Sequence, residues 1–246
     1  MTAALIVIPT YDEADNIVTV LQRVRSAVPD ASILVVDDGS PDGTAELAEA
    51  AGRELGCVRV VRRAAKSGLG SAYRCGFELG LADGFEVLVE MDGDLSHDPG
   101  DLPQLIAAAA DGASLAIGSR YVPDGAVPHW PLLRRLVSRW GNRYAGAALG
   151  LGVRDSTAGF RAYRAETLRA IDYESTRADG YAFQVEMTYR VARVRGRIIE
   201  VPITFSDRVR GTSKMSGRIV VEAMALVTWW ALRDRPMWRA RRRANG

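Results

Sequence analysis

An α/β fold, with a mostly parallel sheet flanked by helices on both faces, is what this sequence predicts. Three observations carry that expectation. Short β-rich runs alternate with helical patterns through the first half of the chain. The runs are apolar almost throughout, as strands buried on both faces are. The 246 residues, 48% hydrophobic and 25% charged, suit one ordinary domain with a sizeable core.

Taken in order, Leu5–Ile8, Ile33–Val36, Val58–Val61, Phe85–Val89 and Leu115–Ile117 read as strands. Between the first two, Ile17, Val20, Leu21, Val24 and Val28 recur at helical spacing. After the second, Ser40 and Pro41 offer helix-start signals, Leu47, Ala51 and Leu55 share a face, and Gly56 is the stop. The second half is less regular. Val201–Phe205 reads as a returning strand, and "SDRVRGTSKMSG" after it as a polar, mobile loop. No internal repeat, low-complexity tract or linker divides the chain.

Net charge is only +2, so no global field announces nucleic acid, which is not expected as a partner. Cys57 and Cys75 give neither a disulfide framework nor paired metal ligands, and are expected to be small buried thiols. The start "MTAALIVIPT" lacks a basic leader, which leads us to expect a reducing, cytoplasmic setting.

The acids are distributed unevenly. "EMDGDLSHDPGD" places five of them in twelve positions. In an open parallel sheet, ligands bind outside the carboxyl ends of the strands. Acidic loops follow the first, second and fourth runs, so Glu13, Asp38, Asp92 and Asp94 are expected on one rim. Turn chemistry explains one such loop but not three together. Two carboxylates one residue apart suit a hard divalent ion, Mg²⁺ or Mn²⁺, which keeps its other positions for water and phosphate oxygens. His97 reads as incidental to that ion. No G-x-x-x-x-G-K-[ST] occurs, and "GLGSAY" has Tyr73 where a dinucleotide fingerprint needs its third glycine. A metal-bound nucleoside diphosphate, used for something other than hydride transfer, is the expected ligand.

"PTYDEADNI", "VVDDGSPDGT", "KSGLGSA", "MDGDLSHDP", "GSRY", "DSTAGFRAY", "GYAFQVEM" and "VPITFSDRVRGTSKMS" stand in the order seen in dolichol- and polyprenol-phosphate mannose synthases. The chain resembles that group of GT-A-fold family 2 glycosyltransferases from about Leu5 to Ser216. The resemblance implies a catalytic domain over residues 1–216 and a C-terminal amphipathic helix with basic tail over 217–246. It implies that Pro9, Tyr11, Glu13, Val36 and Asp38 hold the guanosine of GDP-mannose. Asp92, Gly93 and Asp94 would hold metal and donor, with Asp92 and Asp94 as metal ligands, while Arg120, Arg208 and Lys214 face the phosphates. Three positions depart from the pattern: Asp12 where Asn is common, Gly93 where Ala is common, and Ala158 where Ser is common. The last is expected on the acceptor side.

A basic counterpart lies between Gly125 and Arg154, with five arginines and no acid. Leu132, Leu136, Trp140 and Tyr144 form one helical stripe, and Arg135, Arg139 and Arg143 the next. Such a helix suits a membrane surface, the alternative being a helix packed on the core. Arg134 and Ser138, one turn apart, are the family-implied holders of the lipid phosphate. Ile219–Leu232 is apolar except for Glu222 and Thr228. As a helix it spans only ~21 Å against a ~30 Å hydrocarbon core, so it is expected to lie on a bilayer and not cross it. Six arginines follow it. The expected reading is an inverting transferase moving mannose from GDP-mannose to a polyprenyl monophosphate. It would act peripherally on the cytosolic membrane face, with a separate integral membrane protein as a candidate partner. The rivals are another donor, such as UDP-glucose, and a non-catalytic nucleotide-sugar sensor. Asp155 and Glu186 are expected to position sugar or arginines, because a phosphate acceptor needs no base.

Overall fold

The structure, a computed structural model, describes residues 2–178, 180–206 and 223–233. Seven strands form one sheet in the order β3-β2-β1-β4-β6-β5-β7. The first half follows the expected alternation: β1 (Ala4–Thr10), α1 (Ile17–Ala27), β2 (Ser32–Asp37), α2 (Thr44–Leu55), β3 (Val58–Arg62), α3 (Leu69–Ala82) and β4 (Val87–Glu90). Then come α4 (Leu102–Ala110), β5 (Leu115–Ser119), α5 (Leu132–Leu149), β6 (Arg161–Arg164), α6 (Ala165–Ala170), α7 (Gly180–Arg193) and β7 (Ile198–Pro202). Residues 223–233 are helical.

Strand β1 shows why both faces are covered. Ala4, Ile6 and Ile8 enter one core with α1, α2 and α4, while Leu5 and Val7 enter the opposite core with α3, α6 and α7. Helix α3 lies directly on the sheet. A Cβ at Gly76 would come within 2.3 Å of Val7, and one at Gly80 within 2.6 Å of Leu88. Either substitution would push the helix off the strands. A third apolar cluster joins Ala145 and Leu149 of α5, Val185 and Tyr189 of α7, and Val227 and Trp230 of the last helical segment.

Strands β1, β2, β3 and β4 run parallel, with Thr10 opposite Asp37, Asp37 opposite Arg62 and Val7 opposite Glu90. Their carboxyl ends therefore deliver the acidic loops to one rim, as the sequence implied.

Several expectations are corrected. Strand β6, antiparallel between β4 and β5, was not expected, because "RAYR" begins and ends with arginine. Arg161 is nonetheless fully buried. It donates from Nε to the Ala158 carbonyl (2.6 Å), from Nη2 to that of Ser156 (2.7 Å), and from Nη1 to the Gln184 carbonyl and Thr188 Oγ1 (both 2.9 Å). Those acceptors offset the desolvation of a charge. Helix α2 starts at Thr44, later than Ser40, because the Ser40 hydroxyl and amide are both taken by Asp37. Its buried face is Ala45, Ala48 and Ala51, and Leu47 is exposed. Cys57 is exposed in the turn before β3, at φ +49°, and Cys75 is only partly buried. Strand β7 begins three residues before the expected run, at Ile198.

Candidate active site

The first two loops are laced together by side chains. Thr10 Oγ1 donates to Asp37 Oδ1 (2.9 Å), and Asp37 Oδ2 accepts the backbone amides of Gly39 (3.1 Å) and Ser40 (2.9 Å). Ser40 Oγ accepts the amide of Asp12, Thr44 Oγ1 that of Glu13, and Asp42 that of Ala14. "PTYDE" and "DDGSPDGT" thus form one floor. Asp38 is 3.3 Å from Arg63 Nη1, and its Oδ2 accepts the Ser67 amide (3.2 Å). Glu13 Oε2 accepts from Asn16 Nδ2 (2.8 Å), and the Lys66 ammonium sits 4.0 Å above the Tyr11 ring. Val36 is buried in the sheet, and Pro9 pairs with it across β1 and β2.

The D-x-D loop follows β4. His97 is buried, stacked on Phe160 with ring centroids 4.9 Å apart, and its Nδ1 accepts the Asp92 amide (3.2 Å). Burial pushes its pKa down to about 4, Arg120 adding to the effect and Asp94 opposing it, so the ring is neutral and can accept. His97 is therefore more than incidental: it fixes the backbone of the motif. Asp94 Oδ1 accepts from both the amide and the hydroxyl of Ser96. Tyr73 Oη donates to Asp92 Oδ1 (3.3 Å).

A Cβ on Gly93 would meet Ile8 and Thr10 methyls at 3.4 Å, ordinary contact, and its φ is not in the left-handed region. Gly93→Ala should fold normally and change the transfer rate by no more than about twofold, the scale of a change that disturbs nothing. A large loss of rate would show that the loop needs the space that the absent methyl leaves.

Beneath the loop, Glu90 at the end of β4 is fully buried, and neither of its carboxyl oxygens has a hydrogen-bond partner. Burial raises its pKa to about 8, with Arg161 and the neighbouring Gln184 and Tyr163 side chains opposing. Glu90 is thus mostly uncharged at neutral pH.

On the far side, Arg120 is held by Asp155. Its Nε and Nη2 each lie 2.7 Å from a carboxylate oxygen, and its amide donates to the same group (3.0 Å). Burial raises the Asp155 pKa, but Arg120 outweighs it and the net shift is downward. The guanidinium sits 5.3 Å from the Trp130 ring centroid and 5.5 Å from those of Tyr121 and Phe205. Arg134 covers Trp130 at 3.9 Å, and Ser138 Oγ accepts from Tyr121 Oη (2.7 Å). Both residues expected at the acceptor phosphate therefore border the aromatic frame of Arg120. Asn142 links α5 to the same wall, accepting from Ser156 Oγ and the Thr157 amide and donating to Thr157 Oγ1. Asn142 gave no sequence signal. Ala158 is buried in the core cluster that α3 and α7 share. Glu186 is engaged by the amides of Arg177 and Ala178 and by Arg190. Arg208 and Lys214, the loop 206–216 beyond Ser206, and the basic tail after Arg233 lie outside the described residues.

The donor set suits a divalent hard cation. Asp92 and Asp94 supply carboxylate oxygens, and no cluster of three or more acidic, histidine or cysteine ligands occurs among the described residues. Mg²⁺ and Mn²⁺ accept such a set, because substrate phosphates complete their shell.

The carboxylate rim, the D-x-D loop and the single GT-A-like sheet agree with a glycosyltransferase. A family profile described as "Glycosyl transferase family 2" matches residues 5–172, and the chain belongs to that family. Within it, the chain is similar to an undecaprenyl-phosphate mannosyltransferase of Micrococcus luteus. The two are 52% identical over 231 residues, 94% of this chain and 95% of the relative. It is 49% identical to a polyprenol monophosphomannose synthase of Mycolicibacterium smegmatis over 94% of this chain and 88% of that one. A solved glucosyl-3-phosphoglycerate synthase from Mycobacterium tuberculosis, in complex with Mn²⁺, UDP-glucose and phosphoglyceric acid, shares the fold. Its TM-score is 0.68 at 20% identity, covering 94% of this chain and 79% of that one.

Proposed function

We propose that this protein transfers mannose from GDP-mannose to a polyprenyl monophosphate at a membrane surface. One observation carries the reading. The frame of Arg120 is tied to α5 through Ser138 and Asn142, and the outer side of that helix is apolar and exposed. Leu132 and Leu133 are each 74% exposed, Leu136 64% and Trp140 53%. Seven of the nine exposed large hydrophobics among the described residues lie on α5 and residues 223–233, a patch that water disfavours. Of the stripe expected to pack on either a core or a membrane, Leu132, Leu136 and Trp140 are exposed, while Tyr144 packs on the third apolar cluster. No helix among the described residues is long and apolar enough to cross a bilayer.

In this reading the loops after β1 and β2 hold the nucleoside. Asp92 and Asp94 would hold Mg²⁺ or Mn²⁺, which supplies charge neutralisation for the departing diphosphate. Asp155 fixes the direction of Arg120, while Arg134 and Ser138 receive the acceptor's phosphate. That phosphate, with a second pKa near ~6, arrives largely ionised and attacks the anomeric carbon as its own nucleophile. Direct displacement inverts the sugar. What remains for the protein is to overcome repulsion between two anionic substrates, a task for arginines and preorganised donors. Arg208 and Lys214 are proposed to join them.

The deciding experiment is mannose transfer to a polyprenyl phosphate, with UDP-glucose as the competing donor. Preference for UDP-glucose would replace the donor assignment, and binding of either without turnover would make the protein a sensor.

The membrane part has its own test. Serine at Leu132, Leu133, Leu136 and Trp140 should nearly abolish cosedimentation with anionic vesicles, since each buried apolar side chain contributes ~1.5–3 kcal/mol. Neutralising Arg135, Arg139 and Arg143, or deleting 233–246, should weaken binding in a salt-sensitive way, at about 1 kcal/mol per charge. Wild-type protein that ignores such vesicles at low salt refutes the idea.

A further inference from the structure

Gln184 stands out among the buried polar groups. It lies on α7 and is 2% exposed, yet neither its amide nitrogen nor its amide oxygen has a hydrogen-bond partner. Its backbone carbonyl is fully used, accepting from Arg161 Nη1 and Thr188 Oγ1, both at 2.9 Å. The side chain is therefore held on a fixed backbone with its polar end unspent. The buried carboxyl of Glu90 lies beside it, yet a primary amide has two N–H donors and one acceptor oxygen, so capacity for a further partner remains.

The place it faces is defined by a glycine. The three nearest neighbours of a Cβ built on Gly159 would be Gln184 Nε2 at 3.8 Å, His97 Cε1 at 3.8 Å and Asp92 Oδ1 at 4.0 Å. Those three groups surround one small hollow, the space a Cβ would take, and Gly159 and Asp92 beside it are both partly exposed. Its walls are stiff: the His97 ring is stacked on Phe160 and bound to the Asp92 amide, and Asp92 Oδ1 accepts from Tyr73.

An amide donor and a carboxylate acceptor within van der Waals reach of one point select what can sit there. A hydroxyl does both jobs, accepting from the amide and donating to the carboxylate. A phosphate oxygen only accepts, and is repelled by Asp92. A sugar joined to a diphosphate held at the D-x-D loop has such hydroxyls within a few bonds.

We propose that the Gln184 amide hydrogen-bonds a hydroxyl of the donor's sugar, in the hollow that Gly159 leaves open beside Asp92. This deepens the proposed function and rests on its assignment of a nucleotide sugar to the D-x-D loop. Gln184 would then be a specificity-determining contact that a free nucleoside diphosphate does not use.

Two variants test it. Gln184→Leu removes the donor. Gly159→Ala fills the hollow at ordinary contact distances and without backbone strain, since Gly159 has no left-handed φ, so it should fold like the parent. Steady-state transfer with GDP-mannose and its monodeoxy analogues is compared with calorimetric affinity for GDP, in Mn²⁺ throughout. Both variants should lose about tenfold or more in kcat/KM for GDP-mannose, on the scale of one buried hydrogen bond, and keep parental GDP affinity. For one monodeoxy analogue, parent and Gln184→Leu should perform alike.

The proposal is overturned by unchanged kcat/KM in both variants. It is equally overturned by matched losses for GDP and GDP-mannose, or by the same penalty with every analogue, each of which marks a structural role filled by water. If the parent does not use GDP-mannose, the donor assignment has failed instead. The comparison is then run with the nucleotide sugar that it does use.

Discussion

Replacing Asp94 by Asn should abolish transfer and leave the fold intact. Neutralisation of a departing diphosphate by a bound divalent ion is worth several kcal/mol, so the expected loss is roughly a thousandfold or more. The fold should survive because Asn keeps an oxygen where Asp94 Oδ1 accepts the Ser96 amide and hydroxyl. Unfolding temperature and transfer rate should be measured together, the rate in Mg²⁺, in Mn²⁺ and in chelator. Full activity in the variant, or in chelator, would falsify the metal assignment.

The second large effect belongs to Asp155→Asn. The carboxylate accepts three N–H groups of Arg120, and its residue is wholly buried. Asparagine offers one acceptor oxygen and sets an NH₂ against the guanidinium. Breaking one side of a buried pair costs about 3–5 kcal/mol, because the remaining charge stays desolvated and uncompensated. A lower unfolding temperature and loss of transfer are expected together. Raising the pH should not restore the rate, because Asp155 orients an arginine and takes no proton. Recovery at high pH would instead make it a general base. Exchanging both members for apolar residues separates the two effects. Arg120→Met with Asp155→Leu should regain much of the stability and none of the activity.

How far the sequence alone reaches depends on the kind of interaction. Parallel strands bury both faces, so β1, β2 and β4 announce themselves as apolar runs, and the rule that ligands sit at their carboxyl ends brings Glu13, Asp38, Asp92 and Asp94 together. Strand β6 breaks that pattern. Arg161 is buried because carbonyls of the loop just before it and of α7 converge on it, which composition does not show. Helix α2 uses alanines where leucines were expected because it packs close to α1 and the sheet. In the site, the motif letters leave Asp155 to position either the sugar or an arginine, and do not show which. His97 looked incidental because its partner is a backbone amide, and Asn142 and Gln184 are neutral residues whose meaning comes from where tertiary structure places them.

Helix α5 has one further consequence. Trp140, largely exposed, and Asn142, buried against the loop that carries Thr157 and Asp155, are two residues apart, about 3 Å along the axis. If the outer face rests on lipid, the depth to which the helix settles also sets the height of the Arg120 wall above the headgroups. The enzyme would then carry its own spacer. A longer or shorter prenyl tail leaves that height unchanged, so tail length should be read by the bilayer and the phosphate by the protein.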